Sequence, residues 1–398
     1  MNRYVEYLLN TYVYYKGMNV SYGGAKAKKK SILLICRHPL GDTIVESPFI
    51  RAIRQQYPKH YIMMICAPEN YNLVERCPYV DEIISYSAKV EGSFHRTHLR
   101  QIKQFAKEHY ADKDFDLAII SSTCMPSLIE GWLVYLTHAK RRVTFTEKLN
   151  ADMHREYMGA YDRFFTDVLD SLGEIHEVEN NNAMLAHLGI EVTDDSYELW
   201  TDEKDAQFVD ELWQKKQVDD EKIKVIVNLS TSSKSKDWPV ERYIDVCRAV
   251  REKYDVEYIL IGAGKSAREY GDTFLKQIQA HDFINATTIR QTVEVMKRAD
   301  MYLGGDTGPL HVAAAAKLRG VTIYKDPAYT AIAYNPVKRL YPWHANIDML
   351  YPEAALDGCA ENGCTKEEPH CIKQITADMV TEAMLKKLSY VNINKSGV

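Results

Sequence analysis

From residue 31 onward the chain alternates short, almost uninterrupted apolar runs with stretches of helical periodicity, and it does so twice. SILLIC (31–36), YIMMICA (61–67), VDEIISY (80–86) and DLAIISS (116–122) form the first series of predicted strands, with helical segments over 43–57, 101–110 and 126–137. KVIVNLS (224–230), EYILIG (257–262), MYLGG (301–305) and VTIY (321–324) form the second, with helices over 239–254, 267–280, 290–298 and 309–317. A strand that is apolar on both faces must be covered above and below. Each series therefore predicts a parallel sheet sandwiched between crossover helices. The expected fold class is α/β: two Rossmann-like parallel-sheet domains facing across a cleft.

The two series are separated by a polar segment (191–198) and a charged one (201–222). The sequence thus divides into an N-terminal helical extension and linker (1–30), a first domain (31–200), an interdomain linker region (201–222) and a second domain (223–398). The second domain ends in a Cys-containing loop and a helix. A chain of 398 residues also exceeds the roughly 250–300 residues at which single cores stop growing.

Composition removes several classes of function. With 50 basic against 55 acidic residues and a net charge of -5, no overall positive field attracts nucleic acid. Eight cysteines are too few for a disulfide scaffold at this length and suit reduced thiols. No run reaches the roughly 18 apolar residues that a bilayer span needs. The opening MNRYVEYLLNTYVYYKG carries Arg3 and Glu6 and lacks the apolar core of a secretory signal. The expected location is cytoplasmic. Tyr4, Val5, Leu8, Leu9, Tyr12 and Val13 recur at helical spacing ahead of a Gly-Ala-Lys run (23–30). Such a helix packs on its own domain or rests peripherally on the anionic inner face of the cytoplasmic membrane.

In open parallel sheets, ligands bind outside the carboxyl ends of the strands, so the loops after strands carry the chemistry. RHPLGDTIVESP (37–48) follows the first strand, and Asp42 falls near the start of the next helix. A carboxylate there caps exposed N–H groups or serves as a general base. STSSKSKDWP (230–239) gathers hydroxyls and two lysines ahead of a helix, a combination that suits an anion such as phosphate as well as it suits a plain solvated turn. GGDTGPLHVAAAA (304–316) allows close backbone approach at Gly304 and Gly305. Asp306, Thr307 and Gly308 stand at a helix start, and His311 lies one turn inside.

Three further segments imitate functional motifs. GAGKSA (262–267) fits a relaxed dinucleotide fingerprint but follows the second strand of its series, and it lacks the early glycine of a phosphate loop, with Ile259 in that place. DKDFD (112–116) reads as solvated charge before a strand rather than a metal site. CAENGCTKEEPHC (359–371) places Cys359, Cys364 and Cys371 at C-x4-C-x6-C with His370 alongside. That set could hold a structural zinc or iron, although free thiols are the default reading of so irregular a spacing.

Taken in order, LLICRHPLGDTIVESPFIRAIRQQYP (33–58), HEVENNNAMLAHLGI (176–190), KSKDWPVERYIDV (234–246) and ADMYLGGDTGPLHVAAA (299–315) resemble the heptosyltransferase-type glycosyltransferases of family 9. The similarity runs from about Leu33 to Thr376. It departs at IYKDPAYTA (323–331), where the family often has a Phe-Gly-Pro-type turn. The resemblance implies a GT-B architecture, with the acceptor on the N-terminal domain and the nucleotide-sugar on the C-terminal one. It also implies inverting, metal-independent transfer that needs no cofactor, by family default of heptose from ADP-heptose to a lipopolysaccharide core sugar or other cell-envelope glycolipid. Asp42 then matches the general base. Thr231, Ser232 and Lys236 match diphosphate-binding positions, and Gly305, Asp306, Thr307, Gly308 and His311 match the donor loop. Two competing readings are a sugar-nucleotide epimerase of similar architecture and a non-catalytic nucleotide-sugar-binding protein.

Overall fold

A computed structural model describes residues 29–87, 96–121, 127–150, 161–328, 335–356 and 368–395. The N-terminal segment before residue 29, with its predicted helix, lies outside the described residues. Contacts divide the chain into two compact units, Met1–Asp195 and Ser196–Val398.

The first unit is built on six parallel strands: β1 (Lys29–Cys36), β2 (Tyr61–Cys66), β3 (Glu82–Ser85), β4 (Lys113–Ile119), β5 (Arg141–Phe145) and β6 (Asp167–Leu169). They lie in the order β3-β2-β1-β4-β5-β6. Central β1 is flanked in register by β2, from Ser31 opposite Tyr61 to Cys36 opposite Cys66, and by β4 on its other edge. Six of its eight residues are buried. Each such fully buried aliphatic side chain contributes roughly 1.5–3 kcal/mol, which is why the central strand tolerates no polar alternation.

The helix predicted over 43–57 is two helices, α1 (Leu40–Val45) and α2 (Ser47–Gln56), meeting at Glu46. Pro48 causes the break: without an N–H it cannot bond back to the preceding turn. The Ser47 hydroxyl instead donates to the Ile44 carbonyl at 2.7 Å. Further on are α3 (Arg96–His109), α4 (Leu128–Tyr135) and α5 (Glu177–His187). The start of α5 is a capping box with an unusual cap. His176 Nδ1 accepts from Val178 N at 3.1 Å, and Glu179 accepts from His176 N at 3.1 Å.

The second unit repeats the plan with β7 (Ile223–Asn228), β8 (Val256–Ile261), β9 (His281–Asp282), β10 (Met301–Gly305), β11 (Arg319–Ile323) and β12 (Ile347–Leu350). Their order is β12-β11-β10-β7-β8-β9. Renumbered within the unit this is the same 3-2-1-4-5-6 arrangement, the doubly wound Rossmann order. Its helices are α6 (Glu203–Lys216), α7 (Val240–Arg251), α8 (Gly264–Leu275), α9 (Ile289–Lys297), α10 (Gly308–Ala315) and α11 (Ala377–Lys395). Ile372, Ile375, Val380, Met384 and Leu388 from the C-terminal stretch are wholly buried in the same core as Val225, Val227 and Leu303. Trp238 Nε1 donates to the Ile375 carbonyl at 2.9 Å and fixes that stretch to the start of α7.

The charged segment 201–222, expected to be a linker, instead carries α6 and belongs to the second unit. Asp202 and Asp205 form its capping box, and Asp205 also takes Arg290 Nε of α9 at 2.8 Å. A buried ion pair seats the helix where the sequence shows only surface-like charge. Among the described residues no helix is long and apolar enough to cross a membrane.

Candidate functional site

In each sheet the strand order reverses between its first and fourth strands, and the loops after those two strands splay apart to leave a crevice. The sequence motifs fall at those two places. In the first unit the loop after β1 carries Asp42 and the end of β4 carries Ser121. In the second, the loop after β7 carries Thr231–Lys236 and the end of β10 carries Asp306.

Asp42 lies in the first turn of α1, partly exposed, and its carboxylate accepts from its own backbone N–H at the helix start. Burial pushes its carboxyl up to about 6; the charge on His38 opposes the rise, and Glu177 and Glu46 add to it. Such a carboxylate is mostly ionised at neutral pH yet far more basic than an ordinary aspartate, as proton abstraction requires.

Around Asp42 stands a set of buried charges. His38 and Glu46 are 6% and 2% exposed, and Nε2 lies 3.2 Å from Glu46 Oε1 as an ion pair rather than an aligned hydrogen bond. The Ser121 hydroxyl donates to the same Glu46 oxygen. Arg37 Nη1 pairs with Glu130 Oε1 at 3.3 Å, and Arg37 Nε donates to the Tyr86 carbonyl at 3.2 Å. Asn70 Nδ2 donates to the His38 carbonyl (2.6 Å) and to Thr43 Oγ1 (2.8 Å), so one amide ties the two sides of the loop together.

In the second unit, Lys236 Nζ lies 2.8 Å from Asp306 Oδ2, with both side chains largely withdrawn from water. The two loops touch closely at Gly305, where an added Cβ would lie 3.0 Å from Thr231 Cγ2. Asp237 organises the Thr231 loop. Its Oδ1 accepts from Thr231 N (2.7 Å) and Thr231 Oγ1 (2.9 Å), and its Oδ2 accepts from Tyr270 OH (3.1 Å). Ser232 is exposed beside it.

Thr307 is the cap residue of α10, but its hydroxyl makes no capping bond. The amides of the first turn from Gly308 onward present partial positive charge. Pro309 interrupts that row, having no N–H. His311 is 3% exposed. Burial takes its imidazole down to about 4, with Asp306 opposing and Lys236 reinforcing the fall, so the ring is neutral at physiological pH. Its Nδ1 is buried without a hydrogen-bond partner among the described residues.

The remaining motifs resolve differently. The first helical amide of GAGKSA, Gly264 N, donates to Asn285 Oδ1 at 2.7 Å. In DKDFD, Asp114 pairs with Lys30 at 2.6 Å and Asp116 with Lys140 at 2.7 Å, so these carboxylates tie β4 to β1 and to the turn before β5. Cys359 and Cys364 lie outside the described residues. Cys371 is buried, its Sγ accepting from Leu356 N at 3.4 Å with His370 Nδ1 also 3.4 Å away. Among the described residues no group of three or more His, Cys, Asp or Glu side chains could hold a metal ion.

Sequence reasoning did not single out His38, Glu46, Ser121, Glu177 or Asp237. For one of them a signal was present: Glu46 stands four residues after Asp42, the spacing that stacks side chains on one helical face.

Two doubly wound sheets with ligand loops at both switch points define a GT-B fold of the glycosyltransferase kind. Residues 110–360 match the family model of glycosyltransferase family 9 (heptosyltransferase), and the chain belongs to that family. Lipooligosaccharide heptosyltransferase 2 of Campylobacter jejuni is 24% identical over 161 residues, 39% of this chain and 48% of that protein. The chain thus spans about half the length of that relative. Lipopolysaccharide core heptosyltransferase OpsX of Haemophilus influenzae is 21% identical over 82% of this chain and 86% of its own. A family 9 glycosyl transferase from Veillonella parvula superposes with a TM-score of 0.72 at 19% identity, covering 93% of this chain and all (100%) of its own. Escherichia coli heptosyltransferase WaaC with ADP gives 0.64 at 16% identity over 90% and 99%.

Proposed function

We propose that this chain is an inverting, metal-independent glycosyltransferase that moves heptose from ADP-heptose onto a hydroxyl of a lipopolysaccharide-type core saccharide. The observation that carries this reading is the pairing of two sites at matching switch points: a carboxyl pushed up to about 6 at Asp42, and the Lys236–Asp306 contact of 2.8 Å. A family relative acting on lipopolysaccharide core and a structural neighbour with bound ADP support the choice of acceptor and nucleotide.

An acceptor hydroxyl is a weak nucleophile. Asp42 takes its proton as the oxygen bonds to the anomeric carbon from the face opposite the leaving group, which inverts the configuration. Negative charge then builds on the departing diphosphate. Lys236, oriented by Asp306, and the first-turn amides of α10 with the Thr307 hydroxyl stabilise that charge. Neutral His311 donates or accepts a hydrogen bond at the donor without adding charge. ADP is a good leaving group, so no second carboxylic acid is required, unlike in glycoside hydrolysis. A glycolipid acceptor would bring the enzyme to the inner face of the cytoplasmic membrane.

The test is a transfer assay with ADP-, UDP-, GDP- and CDP-linked sugars on a truncated core oligosaccharide, with and without EDTA. The expected outcome is product from ADP-heptose at an EDTA-insensitive rate, with anomeric configuration by NMR opposite to that of the donor. Retention of configuration, loss of activity in EDTA, or conversion of the donor without acceptor would each overturn the corresponding part of the proposal.

A further inference from the structure

The loop that presents Asp42 contains a second buried ionic element that neither the family motifs nor the chemistry above assigns. His38 ends the extended part of the loop, and Glu46 sits on the kink between α1 and α2. The two close on each other at 3.2 Å, and Asp42 lies midway between them in sequence. Ser121, from the end of β4 across the switch point, donates to the Glu46 carboxylate from below. Asn70 holds the His38 carbonyl from a third side.

We propose, resting on the reading of Asp42 as the base, that His38 is a positioning residue for transfer. Its imidazolium, paired with the Glu46 carboxylate that Ser121 holds, keeps Asp42 ionised and fixes the loop from which it projects.

The charges around the site make such a cation necessary. Asp42 and Glu46 from α1 and its kink, Glu130 from α4 and Glu177 from the start of α5 bring four carboxyls to this crevice. Among the described residues the cations beside them are Arg37 and His38, with the Cys36 thiol next to Glu46. Arg37 is engaged by Glu130 and the Tyr86 carbonyl. His38 is the cation that acts on Asp42. Burial alone would lower the imidazole, but Glu46, with help from Glu130 and Asp42, carries it up to about 9. Without that charge, burial and like-charge repulsion would leave Asp42 holding its proton near neutrality, and a protonated carboxyl cannot accept one.

The experiment is the pH profile of kcat/KM for His38→Gln and His38→Lys beside the wild type, with thermal melts. An opposite charge at this range lowers a carboxyl by roughly 1–3 units. In His38→Gln the acidic limb should therefore move up by about one pH unit, costing about fivefold in rate at pH 6, approaching about tenfold below pH 5, and little above pH 8. His38→Lys should return the limb toward its original place. An unmoved limb in a folded His38→Gln overturns the proposal. If that variant fails to fold, ring NMR of histidine-labelled wild type decides. His38 is expected to stay protonated beyond pH 8, and titration at or below the ordinary histidine value overturns the idea. Asp42→Asn separates the two levels. Normal transfer in that variant removes the base itself, whereas an inactive Asp42→Asn beside an unmoved His38→Gln limb removes only the role given to His38.

Discussion

Two buried histidines sit beside the switch points of two sheets of identical strand order, one in the loop after the first strand and one in the helix after the fourth, and they are driven in opposite directions. His38, beside the switch point of the first sheet, is 6% exposed; His311, beside that of the second, is 3% exposed. Burial alone would lower both. For His38 the neighbours outweigh burial, Glu46 above all, and raise it to about 9, whereas for His311 burial wins and takes the ring down to about 4 although Asp306 opposes the fall. The first crevice is thereby an acidic pocket braced by an imidazolium, suited to taking a proton. The second holds a neutral ring beside the Lys236–Asp306 pair, where the proposed diphosphate would sit. One topology thus supports two electrostatic tasks, and the difference resides in a few side chains at the strand ends rather than in the fold.

The pH dependence of stability is the sharpest way to break this contrast. His38 has a folded value above its unfolded one, so its contribution is complete below about pH 6.5 and is lost as pH rises through about 9. For His311 the folded state rejects a proton that the unfolded chain takes up, so stability is lost as pH falls from about 6.5 toward 4. His38→Gln should therefore flatten the alkaline fall and His311→Gln the acidic one, each by on the order of 2–3 kcal/mol in urea unfolding. Parallel curves for both variants would contradict the contrast.

Next in size is the donor pocket. Lys236→Ala should weaken ADP binding by about 2 kcal/mol, roughly thirtyfold in Kd by calorimetry, while Asp42→Asn leaves it unchanged. In a double-mutant cycle with Asp306→Asn the two losses should not add, because each residue orients the other. Smallest is Gly305→Ala. The new methyl group would press on Thr231 from 3.0 Å and separate the two loops by a few tenths of an ångström. The expected loss in donor affinity is about two- to fivefold, with little change in kcat.

How much of this was legible in the sequence follows from the same physics. β1, β2, β7, β8, β10 and β11 announce themselves because a strand buried on both faces is a continuous apolar run. The β5, β6, β9 and β12 strands do not. β5 opens on Arg141 and Arg142, β6 has three residues, β9 is His281–Asp282, and three of the four residues in β12 are only partly buried. Outer strands lack the uniform burial that writes itself into composition. In the site, Asp42, Lys236 and Asp306 were visible as polar residues in loops after apolar strands. The support beneath them was not. Glu46 acquires its meaning from Ser121, 75 residues away in sequence, and Asp237 acquires its meaning from Tyr270. Such partners are set by tertiary structure and leave no local pattern.

The most direct test of the central claim is Asp42→Asn measured for transfer and for donor binding in the same preparation. The account predicts a fall in kcat of about 10²- to 10⁴-fold with ADP affinity unchanged. A variant that transfers at the wild-type rate would contradict it.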